Sequence, residues 1–204
     1  MITIIDYGLG NIRSVFKALK RENIDCDITW EESKIEKAEK LLLPGVGNFK
    51  RGMENLQKLN LINILNEKVL NRKIPILGIC LGMQLMTKFS EEGNVKGLGW
   101  VNAVTKDFSH LIKNKKVKIP HMGWNSIDIV RKDQIFNEIK KDSLYYFVHK
   151  YYVSCEYKNN VLSKTRYDSI FDSSFQIKNI YGVQFHPEKS HNQGLQILKN
   201  FNSI

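Results

Sequence analysis

Ile74-Pro75-Ile76-Leu77-Gly78-Ile79-Cys80-Leu81-Gly82-Met83-Gln84 decides the fold of this 204-residue chain. The apolar run before Gly78 reads as a buried strand. Gly78-Ile79-Cys80-Leu81-Gly82 reads as its sharp exit into a helix that starts at Leu81 and reaches Thr87. A cysteine between two glycines on such a turn is the thiol counterpart of a nucleophile elbow. The backbone is strained at the reactive residue, and the glycines remove side chains that would clash there. A helix beginning at Leu81 aims unpaired N–H groups and a positive dipole end at the sulfur, which favours thiolate. The competing reading is a buried structural cysteine at a glycine-containing strand end.

Outward from this unit, strand and helix patterns alternate through the first half. Residues 2–5 read as a strand. Residues 11–21 place Ile12, Val15, Phe16 and Leu19 at helical spacing, with Asn11 as N-cap. Residues 24–28 and 40–43 read as strands, the latter ended by Pro44-Gly45, and residues 49–58 and 61–70 as helices leading to a strand at 74–79. This rhythm predicts a three-layer α/β/α sandwich with a mostly parallel central sheet. The second half carries short strand patterns at 98–105, 117–121, 126–130, 144–152, 161–165, 174–178 and 180–185. With little helix between them, they predict antiparallel additions to that sheet. A closing helix is expected over 190–201, packing through Leu195, Leu198 and Phe201. With no internal repeat or low-complexity linker, residues 1–204 read as one domain.

Composition is that of an ordinary globular chain, 42% hydrophobic and 25% charged. No apolar run is long enough to span a bilayer, and the strand at 2–5 leaves no room for a signal segment, so no membrane role is expected. Three widely spaced cysteines, Cys26, Cys80 and Cys155, with no Cys-x-x-Cys pair, argue for a reducing cytoplasm and against a disulfide framework or a zinc site. The net charge of +10 raises the question of nucleic acid. Its lysines are dispersed, however, and the one dense run, 113–118, reads as a solvated loop or strand edge. No nucleic-acid partner is expected. Gly8-Leu9-Gly10 lacks the third glycine of a dinucleotide fingerprint, since position 13 is arginine, so no cofactor is expected.

A thiol nucleophile needs a base, and the base needs a partner that holds its ring. His186 and Glu188, in Tyr181-Gly182-Val183-Gln184-Phe185-His186-Pro187-Glu188, fit these roles at the end of a strand-like run. Leu43-Pro44-Gly45-Val46-Gly47 supplies a turn whose peptide planes can rotate an N–H toward an anion. Beside an elbow cysteine, Gly45, Val46 and Gly47 are candidates for one half of an oxyanion hole, and the Leu81 N–H for the other.

With these elements in place the chain resembles the class I, triad-type glutamine amidotransferases. Within them it is most similar to the glutaminase subunits of imidazole glycerol phosphate synthase. Asp6-Tyr7-Gly8-Leu9-Gly10-Asn11, Pro120-His121-Met122-Gly123-Trp124-Asn125 and Tyr146-Phe147-Val148-His149 extend the resemblance from residue 6 to 190. It implies glutamine hydrolysis, with Cys80 as nucleophile, His186 as general base and acid and Glu188 as its orienting carboxylate. Ammonia would pass to a (β/α)₈-barrel synthase subunit in a heterodimer serving histidine biosynthesis. It further implies that Gln84 contacts substrate, that main-chain groups of His149 and Lys150 pair with glutamine, and that Asn11, Trp124, Tyr146 and Lys189 face the partner. Lys150 departs from the small hydroxylated residue usual there. Ser90-Glu91-Glu92-Gly93 and the run from His191 to Gln196 resemble a paralogous branch that supplies ammonia for acetamidino sugars of bacterial surfaces. Two readings of other classes remain open: a stand-alone cysteine hydrolase and a non-catalytic regulatory module.

Overall fold

The computed structural model describes residues 1–114 and 116–204. The first half contributes strands β1 (Ile2–Ile5), β2 (Cys26–Thr29), β3 (Lys40–Gly45) and β4 (Ile76–Cys80), which pair in parallel in the order β2-β1-β3-β4. The rest of the chain adds β5 (Thr87–Ser90), β6 (Val95–Lys96), β7 (Val101–Asp107), β8 (His121–Ser126), β9 (Asp128–Ile129), β10 (Leu144–His149), β11 (Tyr151–Cys155), β12 (Val161–Tyr167), β13 (Ser169–Ile177) and β14 (Ile180–Val183). β14 joins β4 in parallel, and β13, β11, β7, β5 and β6 follow toward the far edge, with β12 and β9 branching from β13. β8 and β10 form a separate antiparallel ribbon. The helices are α1 (Ile12–Arg21), α2 (Glu32–Glu36), α3 (Phe49–Lys58), α4 (Leu61–Asn66), α5 (Leu81–Leu85) and α6 (His191–Ser203).

The apolar strands show no hydropathy alternation because both of their faces are covered, yet the two-residue pleat still sorts their side chains. Ile2, Ile4, Leu42, Leu77 and Ile79 enter one core with Val15 and Leu19 of α1 and Leu198 and Phe201 of α6. Ile5, Leu41, Leu43 and Ile76 enter the other with Phe49 and Leu56 of α3 and Leu61 and Leu65 of α4. The expected three-layer arrangement is therefore present, with α1 and α6 on one face and α3 and α4 on the other.

Several boundaries differ from expectation for local reasons. β3 runs through Pro44 to Gly45, since its parallel pairing with β4 continues to Gly45 opposite Cys80. The helix after Cys80 ends at Leu85 rather than Thr87, because Thr87 begins β5 against Val101. The helix expected over 61–70 becomes α4 followed by a π turn, Glu67–Asn71. Residues 117–120 are not a strand: Pro120 has no N–H for a ladder, and pairing starts at His121. The strand pattern at 144–152 divides at Lys150 into β10 in the ribbon and β11 in the main sheet. Asn11 precedes α1, but its side-chain oxygen accepts from Ser14 Oγ and not from a backbone N–H. Within the lysine run at 113–118, Lys115 lies outside the described residues. The Lys113 and Asn114 N–H groups both donate to Asp168 Oδ2. Among the described residues no helix is long and apolar enough to cross a membrane.

Candidate active site

Three neighbouring parallel strands deliver the site to one sheet edge. β3 and β4 are in register with Gly45 opposite Cys80, and β4 and β14 with Ile79 opposite Val183. Just beyond β14 come Gln184, whose Nε2 reaches Cys80 Sγ, and the buried His186. Cys80 ends β4 at φ 51 and ψ −106, a left-handed conformation that costs a residue with a side chain about 1–3 kcal/mol. The turn closes tightly because Gly82 lies against β3, where a Cβ would stand 1.8 Å from the Leu43 carbonyl oxygen. A Cβ on Gly78 would meet the Met83 nitrogen at 2.7 Å. Both glycines of the elbow are thus required by close approach. α5 is only five residues long, so its dipole acts on the sulfur more weakly than the expected longer helix would.

Cys80 is 5% exposed. Its Sγ lies 3.8 Å from the Val148 carbonyl, to which the thiol donates, and accepts from Gln184 Nε2 at 3.5 Å. His186 and Glu188 are both buried, with Nδ1 and Oε1 2.8 Å apart. A carboxylate only accepts, so Nδ1 carries the proton and Nε2 is the nitrogen left for chemistry. Among the described residues Nε2 is buried without a hydrogen-bond partner, as is Glu188 Oε2. Burial, the largest influence on the His186 ring, lowers its pKa. The negative charge of ionised Cys80, with the hydrogen bond and charge of Glu188, outweighs burial and raises it. Because Nε2 has no hydrogen-bond partner in this conformation, the rise rests on the Cys80 charge and on Glu188 rather than on a formed Cys80 hydrogen bond.

A cleft of about 270 Å³ opens beside the sulfur, lined by Val46, Gly47, Cys80, Leu81, Gln84, His149 and Lys150, with Val148, Tyr151, Glu92 and Pro120. Seven residues singled out from the sequence therefore share one cavity. Gly45 lies just behind it, directly across from Cys80. Gly47 holds φ 115, a conformation natural to glycine. The Lys150 ammonium turns to Asp107 Oδ2 at 3.4 Å, leaving its carbonyl to accept from the Phe108 N–H.

The side chains of Gln84 and His149 face inward into a polar chain. Gln84 Nε2 donates to the Tyr151 carbonyl at 3.0 Å and to Gln184 Oε1 at 3.1 Å. His149 Nδ1 lies 2.8 Å from that same carbonyl, which can only accept, so Nδ1 carries the proton and Nε2 accepts from His121 Nδ1 at 3.0 Å. His121 Nε2 in turn accepts from Asn125 Nδ2 at 3.3 Å. Both imidazoles are neutral in this scheme. Burial lowers the pKa of His121 to about 4. Burial, then the charges of His121 and His186, lower that of His149 to about 3 against the opposing Tyr151 carbonyl bond.

Three of the four residues expected to face a partner form one surface cluster, in which Tyr146 is half-buried. Trp124, 44% exposed, stacks on His191 at 4.7 Å between ring centroids and meets Tyr146 edge-on at 5.9 Å. Lys189 Nζ stands 5.6 Å over the Tyr146 ring. Asn11 sits apart, at the start of α1, whose Ser14 and Lys17 share a separate cleft with Glu188, Lys189 and His191. Sequence reasoning missed Gln184, Tyr151 and the pairing of His121 with His149. Only Gln184 carried a signal, its place two residues before His186.

A family model described as "Glutamine amidotransferase class-I" matches residues 3–203. The chain belongs to this family. Among relatives of this glutamine amidotransferase, the "Imidazole glycerol phosphate synthase subunit HisH 2" of Methanococcus maripaludis is 51% identical over 201 residues, covering 98% of each chain. The "Imidazole glycerol phosphate synthase subunit HisH 1" of Campylobacter jejuni is 45% identical over 202 residues, again covering 98% of each. A solved structure described as a glutamine amidotransferase superposes with a TM-score of 0.76, covering all of both chains at 15% identity, which speaks for the fold alone.

Proposed function

We propose that this glutamine amidotransferase is the glutaminase subunit of an imidazole glycerol phosphate synthase. It hydrolyses glutamine and passes ammonia to a (β/α)₈-barrel synthase subunit in the cytoplasm, with residues 1–204 acting as a single domain. The observation that carries the chemistry is the Cys80 thiol on its strained turn, beside an imidazole whose Nδ1 is held 2.8 Å from Glu188. His186 Nε2 takes the Cys80 thiol proton, and the resulting thiolate attacks the side-chain carbonyl carbon of glutamine while the carbonyl π pair moves to oxygen. The Leu81 N–H and the Gly45–Val46–Gly47 loop stabilise that oxyanion. His186 delivers its Nε2 proton to the departing nitrogen, the C–N bond breaks, and ammonia leaves a thioester behind. His186 then takes a proton from water as the oxygen attacks the thioester, and the collapse yields glutamate and restores the thiolate. Glu188 keeps the ring oriented and stabilises its cationic form throughout.

Gln84 and the main chain at His149 and Lys150 hold the substrate's polar groups in the cleft. Trp124, Tyr146, Lys189 and Asn11 dock the barrel subunit: the surface aromatic cluster offers a desolvatable anchor of the kind that dominates protein interfaces. A peptide rotation in the Gly45–Gly47 loop completes the oxyanion hole once the partner binds its own substrate. Complementation of a histidine auxotroph lacking this subunit tests the pathway. Growth without histidine is expected. Failure by a stable protein that still releases glutamate would move the ammonia to another acceptor, such as the sugar amidotransferase of the related branch.

A further inference from the structure

The sulfur of Cys80 has a partner that the triad does not include. Gln184 is fully buried, and its Nε2 donates to Sγ at 3.5 Å. The orientation of its amide is not free. Gln184 Oε1 accepts from Gln84 Nε2 at 3.1 Å, and Gln84 spends its other N–H on the Tyr151 carbonyl at 3.0 Å. Turning the Gln184 amide over would set two NH₂ groups against each other and aim a carbonyl oxygen at the sulfur, so the neighbours fix the N–H toward Sγ. The Tyr151 carbonyl also accepts from His149, the end of the buried pair reaching back to Asn125 of β8. The sulfur is therefore tied through two amides to the wall of the cleft.

We propose that Gln184 is a positioning residue for the nucleophile, a role that rests on the reading of Cys80 given above. Its N–H holds Sγ at the mouth of the cleft and stabilises the thiolate over the thiol, because a hydrogen bond donated to a charged form favours that form. Gln84 acts on the same sulfur at second hand by locking the Gln184 amide. In the thiol state the S–H points to the Val148 carbonyl. On ionisation that contact loses its proton and the Gln184 N–H strengthens, since hydrogen bonds to ions are roughly twice as strong as neutral ones.

The test is the pH dependence of Cys80 alkylation by iodoacetamide in the full chain, read by mass spectrometry on the Cys80 peptide, with buried Cys26 and Cys155 as internal references. Gln184→Met keeps the volume and removes the N–H, and Gln184→Glu keeps the shape and replaces the donor with a carboxylate. The titration midpoint should rise by about one pH unit in the methionine variant, a tenfold change in the ionisation constant toward thiol, and further in the glutamate variant. Gln84→Met should shift it in the same direction by less, and it decides the matter if neither Gln184 variant folds. In partner-stimulated glutamine hydrolysis the Gln184 variants should lose kcat with KM little changed. An unshifted midpoint in folded variants, or a lower alkylation plateau without a shift, would overturn the proposal even with normal glutaminase activity in the wild type. A wild-type chain inert toward glutamine with its partner would instead sink the underlying reading of Cys80.

Discussion

Acid should unfold this protein sooner than its carboxylates alone would dictate, because two buried histidines must stay neutral in the fold. His121 is stacked between Phe147, with centroids 4.8 Å apart, and Tyr167 at 4.0 Å, and His149 is packed among Phe108, Phe147 and Phe171. Their folded-state pKa values, about 4 and about 3, lie below the ordinary 6.5. The unfolded chain therefore binds more protons between those values, and the contribution of the pair is fully present above about pH 6.5. It drains as pH falls toward 4 and then 3. At pH 5, about 1.5 units below the unfolded value, each histidine has cost about 2 kcal/mol of stability, or about 4 kcal/mol together. Against a net stability of about 5–15 kcal/mol this is a large fraction. His186, whose folded value is raised, does not contribute between pH 6.5 and 3: its stabilisation is fully present below 6.5 and is lost progressively as pH rises from there through that raised value. The assay is urea unfolding at intervals from pH 7.5 to 5, followed by tryptophan fluorescence and far-UV circular dichroism. His121→Phe keeps the ring stack and removes one titrating group. It should lower stability at pH 7.5 by leaving His149 Nε2 without its donor, yet roughly halve the slope against pH. A stability that is flat from pH 7 to 5, or a slope unchanged by His121→Phe, would refute the neutral-pair assignment.

Other outcomes follow from the same contacts. Glu188→Gln removes the charge that supports the His186 cation and should cut partner-stimulated glutamate release by about 10²- to 10⁴-fold with the fold intact; a rate within a few-fold of wild type would deny Glu188 its role. Gly82→Ala should fail to give folded protein, since its Cβ would stand 1.8 Å from a β3 carbonyl oxygen. Gly182→Ala, whose Cβ would stand nearest to the Phe175 and Met83 side chains at 2.5–2.7 Å, should fold with a loss of about 1–3 kcal/mol. Equal thermal stability of the two variants would contradict the backbone contact. Tyr7 Oη is buried without a hydrogen-bond partner among the described residues, so Tyr7→Phe should be neutral or gain up to about 1–3 kcal/mol in urea unfolding; a clear loss would mean that the hydroxyl is satisfied.

Much of the sheet was legible because its strands are nearly continuous apolar runs separated by glycine, proline and amphipathic helices. The elbow was legible because Gly78 and Gly82 answer a local steric need. Boundaries were missed where a partner strand decides the outcome: β3 continues through Pro44 because β4 is beside it, and 144–152 divides because its halves pair with β8 and β7. The cleft residues came forward through local motifs, and geometry brought seven of them together. His121 and His149 stand 28 residues apart and Gln84 and Gln184 one hundred, so their hydrogen bonds exist only through tertiary register and left no sequence signal. The 113–118 lysine run drew attention by charge density, but its described lysines, Lys113, Lys116 and Lys118, are exposed, and exposed charge carries no structural commitment.

The central claim is that Cys80 forms a thioester with glutamine, and the most direct measurement is glutamate release by the full chain with its barrel partner and that partner's ligand, before and after Cys80→Ser. Wild-type turnover should rise when partner and ligand are present, with a glutamyl adduct on Cys80 trapped by acid quench, and Cys80→Ser should abolish both. Glutamate release unchanged by the substitution would contradict the account.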